Sequence, residues 1–143
     1  AAHLYYFKVA GGTAAPSWYA EGMATQFEGF RWTGSRYAFD RLSRSRLGCV
    51  RRAIEQGKHL PVEQLVASDA LTLINSDTDK ALVFYAECWA LVFYLTQTEQ
   101  KEQRDGFQRY RDAVDAGKAA PLADFFPDLK ALEADFVKFV RRL

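Results

Sequence analysis

Cysteine, histidine, methionine and proline are all scarce in this chain: two, two, one and four of 143 residues. Two cysteines, Cys49 and Cys88, cannot build a disulfide framework, and no C-x-x-C spacing exists to open a zinc finger. A single bridge between them stays open, and with it the redox compartment. Long apolar runs are missing too. The strongest, Ala81 to Leu95, is interrupted by Glu87 and is too short to span a bilayer, so no membrane span is expected in this chain. Charge of one sign is not in excess either: 19 Lys and Arg against 18 Asp and Glu leave a formal +1. That balance excludes a general binder of nucleic acid or of anionic membranes, and any such surface must be local. There is no initiating Met and no signal-like start. Ala1-Ala2-His3-Leu4-Tyr5-Tyr6-Phe7 reads as helix interior, so the expectation is a fragment of a larger protein, for which a periplasmic or secreted setting is open.

What is present belongs to a folded chain. An apolar fraction of 49% with 15% aromatics excludes a disordered or low-complexity sequence, and the length suits one domain over residues 1–143. The fold expected is mainly α. A first helix runs to the Gly11-Gly12 breaker, and after Pro16 a second, capped by Ser17, covers Trp18 to about Gly29. Phe30 to Phe39 carries aromatics around Thr33-Gly34-Ser35 and reads as a short hairpin or an irregular arm. Helices follow over Leu42 to Gln56 and Val62 to Ala67. Asn75-Ser76-Asp77 then forms a cap cluster for Thr78 to Thr96, which is apolar nearly all round and therefore central. Glu99 to Ala116 reads as a charged, exposed helix ended by Gly117. Asp128 to Leu143 aligns Leu129, Leu132, Phe136, Phe139 and Val140 on one face.

Two features carry possible chemistry: His3 on the first helix, and the segment from Pro16 to Phe27 on the second. A lone helical histidine is ordinarily packed or solvated, and a glutamate beside aromatics is ordinarily a helix-face carboxylate. Together, however, His3 and Glu21 lie on consecutive helices joined by a tight Gly-Gly to Pro connection. Antiparallel neighbours of that kind can bring an imidazole and a carboxylate to one ion.

The same residues resemble a family, the peptidase MA-like branch of the gluzincin zinc metallopeptidases, which includes bacterial domains of unknown function. The second helix of that branch reads P-x-W-x-x-E-G-x-A-x-x-F, and Pro16, Trp18, Glu21, Gly22, Ala24 and Phe27 fill its places. A central helix of the form Y-A-x-x-x-A-L-V-x-Y-L is matched by Tyr85 to Leu95. The family's closing pattern resembles Phe125 to Glu133. The resemblance implies the C-terminal helical part of a gluzincin-like domain, with Ala1-Ala2-His3 as the end of H-E-x-x-H. The first His and the catalytic Glu would then precede residue 1. His3 and Glu21 become zinc ligands, Trp18 and Gly22 scaffold residues, and Tyr85 the donor that stabilises an oxyanion. A tyrosine on an apolar helix is otherwise a core residue with its hydroxyl at the rim. Peptide or protein is the implied substrate, hydrolysed in the full-length parent by metal-activated water, and the chain alone would be inactive. One position departs from the pattern. Thr25 stands where the family often has an acid that orients a ligand histidine, and a hydroxyl orients imidazole less strongly.

A second reading comes from charge. Arg31, Arg36, Arg41, Arg44, Arg46, Arg51 and Arg52 face only Asp40 between positions 31 and 52, with Trp32 and Tyr37 among them. Such a stretch is ordinarily a solvated face, but it also suits a non-catalytic interaction module that binds a partner over residues 30–52. His59, between Lys58 and Leu60, has no partner at metal spacing and reads as a loop residue.

Overall fold

A computed structural model describes residues 15–26, 29, 31–38, 42–118 and 120–143. The first helix of the sequence reading, with His3, lies outside them. The described chain is mainly helical, as expected: seven α-helices and one two-stranded antiparallel ribbon.

Helix α1, Ser17–Gln26, is started by the carbonyl of Pro16, which accepts from the N–H groups of Tyr19 and Ala20 at 3.0 Å each. Ser17 is therefore the first helical residue and not the expected cap. Its hydroxyl donates instead to Asp69 Oδ2 at 3.2 Å, 52 positions along the chain. The arm that follows is a hairpin. Strands β1, Arg31–Trp32, and β2, Tyr37–Ala38, pair Arg31 with Ala38 and Trp32 with Tyr37. Gly34 takes φ +93°, a conformation that side-chain-bearing residues rarely adopt, and this is what lets the turn close.

Helix α2, Arg44–Glu55, ends where Gly57 turns left-handed at φ +64° and Lys58 N–H reaches back to the Ala53 carbonyl at 2.8 Å. Helix α3 is Val62–Ala67, as expected. Helix α4, Ala70–Ser76, was not expected. Asn75 and Ser76, read as caps of the next helix, lie inside it, and Asp69 caps it by accepting from Thr72 N–H at 2.9 Å. Of the expected cap cluster only Asp77 serves, accepting from Lys80 N–H at 2.9 Å, while Ser76 closes α4.

Helix α5, Thr78–Gln97, is the centre. It packs against α1 to α4, against α6, Lys101–Asp115, and against α7, Leu129–Arg142. Contact on every side explains why its sequence is apolar all round: Phe84, Cys88, Leu91, Val92 and Leu95 are fully buried. Each such side chain contributes about 1.5–3 kcal/mol on removal from water. Helix α6 is less exposed than its charges suggest, because Gly106, Phe107, Tyr110 and Val114 lie on a buried face. Tyr110 stacks on Trp18 with centroids 5.5 Å apart and meets Tyr19 edge-on at 5.4 Å, fixing α1 against α6. Helix α7 is capped by Asp128 and buries Leu132, Phe136 and Val140 from the expected face. Among the described residues no helix is long and apolar enough to cross a membrane.

Candidate functional site

The face shared by α1 and α5 carries three of the residues singled out by sequence. Gly22 is buried there. A Cβ built on it would stand 2.6 Å from the Cys88 carbonyl oxygen and 2.5 Å from a Val92 methyl, so no larger residue fits without moving a helix. Gly22 thus sets the close approach of α1 to α5. One residue earlier on α1, Glu21 is half-buried. Its charge reaches two groups on α5. The Tyr85 phenol has its pKa raised by partial burial and next by the Glu21 carboxylate, with smaller contributions from Cys88 and Asp69. The Cys88 thiol is pushed well up by burial, then by Glu87 and Glu21. Glu21 and Tyr85, far apart in sequence, therefore lie within electrostatic reach of each other. Tyr85 is half-buried, its ring edge-on to Phe84 at 5.6 Å.

Trp18 is buried against Tyr19 and Tyr110, and the first helix of the sequence reading lies outside the described residues. Thr25 is buried, and its hydroxyl donates within α1, with the Glu21 and Gly22 carbonyls at 2.8 and 3.0 Å. That donation spends its proton on the backbone and leaves only its oxygen lone pairs for any neighbour. A cleft of about 820 Å³ opens beside it, bounded by Gly29, Leu42, Ser43, Arg44, Arg46 and Trp89. Both cysteines are free thiols, so the bridge left open by the sequence does not form. Among the described residues no three His, Cys, Asp or Glu side chains are grouped to hold a metal. His3 lies outside those residues, and its convergence with Glu21 does too.

A second cluster was missed by sequence reasoning. Glu87 is completely buried in the middle of α5, with both carboxyl oxygens facing one donor, Leu60 N–H, at 3.2 and 3.0 Å. Burial pushes its pKa up to about 8, against the lowering effect of that hydrogen bond, and Glu133 raises it further. His59 lies in irregular chain, as expected of a loop residue, and it has a neighbour there. Its Nε2 stands 3.5 Å from Glu133 Oε1, while its buried Nδ1 has no hydrogen-bond partner. Glu133 also accepts from Val62 N–H at 2.9 Å. The signal was available in the sequence, since a glutamate on a helix apolar all round has no solvent face to turn to.

These features define a helical domain with a carboxylate–phenol face on one flank of its central helix and a buried acid on the other. A family model described as "Protein of unknown function (DUF1570)" matches residues 10–115, and the chain belongs to that family. No curated protein and no solved structure matches the chain.

Proposed function

We propose that the chain is the post-motif part of a zinc-dependent peptidase-like domain whose full-length parent hydrolyses peptide bonds. The observation that carries this reading is the shared face of Glu21 and Tyr85, the ligand and the oxyanion donor expected from the family resemblance. The donor chemistry fits: a half-buried carboxylate on a helix pinned close to α5 by Gly22, with a neutral phenol in its field. Glu21 and His3 would hold the zinc, together with a histidine preceding Ala1. Bound there, zinc supplies Lewis acidity and a water whose pKa falls to about 7. Glu21 contributes a fixed carboxylate. Tyr85, its proton retained by burial and by the carboxylate beside it, donates a hydrogen bond to negative charge developing on the substrate carbonyl oxygen. Gly22 and Trp18 hold that geometry.

The test uses the protein extended upstream of Ala1. Elemental analysis should find close to one zinc per chain, and Glu21→Ala should abolish stoichiometric binding. Tyr85→Phe should keep the metal and lower turnover of a peptide library by about 10- to 1000-fold. Full zinc occupancy in Glu21→Ala would remove that residue from the site, and full activity in Tyr85→Phe would return the tyrosine to the core.

The hairpin supports a second reading, a non-catalytic module that docks a partner. Trp32 and Tyr37 are 55% and 59% exposed, with their rings 4.9 Å apart across the strands and Arg31 and Arg36 on the same arm. Exposed aromatics interleaved with arginines are the composition of interface hot spots. A parent that binds no zinc and cleaves nothing, yet loses a bound partner on Trp32→Ala, would favour this reading.

A further inference from the structure

The 57–61 turn brings a backbone amide onto the Glu87 carboxyl. A single backbone N–H, that of Leu60, faces both its oxygens, and Leu60 itself is buried. Directly before it, His59 places one nitrogen near Glu133 and the other, buried, against no partner. The turn therefore joins α5 to α7: its Leu60 amide faces Glu87, and its His59 imidazole faces Glu133. His59 and Glu133 line a cleft of about 700 Å³ between the turn and α7.

We propose that Glu87 is a proton-operated latch that binds the 57–61 turn to the central helix when protonated and releases it when ionised. The geometry dictates the direction. In the protonated state a neutral acid sits in an apolar core with its acceptor used by Leu60. In the ionised state a full charge has no solvent, one hydrogen bond and a second carboxylate, Glu133, nearby. Water must then enter. The short irregular turn moves more readily than packed helices, because fewer contacts hold it. The titratable groups whose charge bears on the carboxyl are Glu133 from α7 and Cys88 on its own helix, with His59 of the turn beside Glu133. With a folded pKa of about 8 against 4.5 for a free glutamate, the folded state binds the extra proton between those values. Stability from this group is thus complete below the lower value and is lost as pH rises to the upper one.

The test is hydrogen exchange and carboxyl NMR on the 143-residue chain. After correction for the intrinsic pH dependence of exchange, the His59 and Leu60 amides should lose protection with a midpoint near the Glu87 value, while α6 amides stay protected. The side-chain carboxyl of Glu87 should titrate at the same midpoint. Glu87→Gln, which keeps an acceptor for Leu60 and cannot ionise, should hold the turn protected throughout. Glu133→Gln, which removes the like charge, should move the midpoint to lower pH. Protection of Leu60 that is unchanged across the range in the wild type, or lost equally in Glu87→Gln, would overturn the latch. Should Glu87→Gln fail to fold, the carboxyl resonance decides alone: titration in the ordinary glutamate range overturns the proposal, and titration well above it supports the latch.

Discussion

The two flanks of α5 meet their neighbours by opposite means. Toward α1 the contact is backbone against backbone, with Gly22 leaving no room between its Cα and the Cys88 carbonyl. Toward the 57–61 turn a full side chain, Glu87, spans the gap to one amide. The first is fixed by shape and is indifferent to pH. The second is fixed by a proton. One helix can therefore be held by shape on one side and keep a titratable cover on the other, because successive residues point in different directions around its axis.

The comparison can be broken at its centre first. Leu91→Ala removes a fully buried side chain from the helix both flanks share, and should cost about 2–5 kcal/mol in a denaturant melt. Gly22→Ala attacks the rigid flank alone. With Cβ contacts of 2.5 and 2.6 Å to relieve, it should cost about 1–3 kcal/mol, equally at pH 5 and pH 9. Glu87→Gln attacks the other flank and should show the reverse pattern. It should be close to neutral at pH 4, and should stabilise at pH 9 by on the order of 1–3 kcal/mol, because the wild type then carries an uncompensated buried charge. Equal pH profiles for Gly22→Ala and Glu87→Gln would erase the distinction. Gln108→Ala, on the solvent side of α6, should change stability by less than about 0.5 kcal/mol.

The sequence made the helices and the centre legible because periodicity and caps are local signals. Val62–Ala67 came out as expected, Thr78–Gln97 within a residue at its end, and the hairpin at Gly34 was one of two alternatives stated. Helix α4 was hidden, since the asparagine and serine read as a cap for the next helix sit inside a short helix held by Asp69 and by packing on α5. Helix α6 was misjudged for a related reason. Its buried residues Phe107, Tyr110 and Val114 keep helical spacing, but charges between them mask it. At the candidate site, the family resemblance named Glu21, Gly22 and Tyr85, and the fold sets Glu21 and Tyr85 within electrostatic reach. Glu87, His59 and Glu133 come from three separate elements, and only the fold joins them. Pattern within one helix could not have paired them.

The three tryptophans fall into two unequal groups: Trp18 and Trp89 are almost wholly buried, and Trp32 on the hairpin is open to water. Native fluorescence of this chain is accordingly divided by environment. The component reached by a neutral collisional quencher such as acrylamide should be the red-shifted emission of one residue at the tip of the arm. Anything that settles on the hairpin should shield that component without disturbing the other two, so the protein carries its own optical reporter of events at residues 31–38.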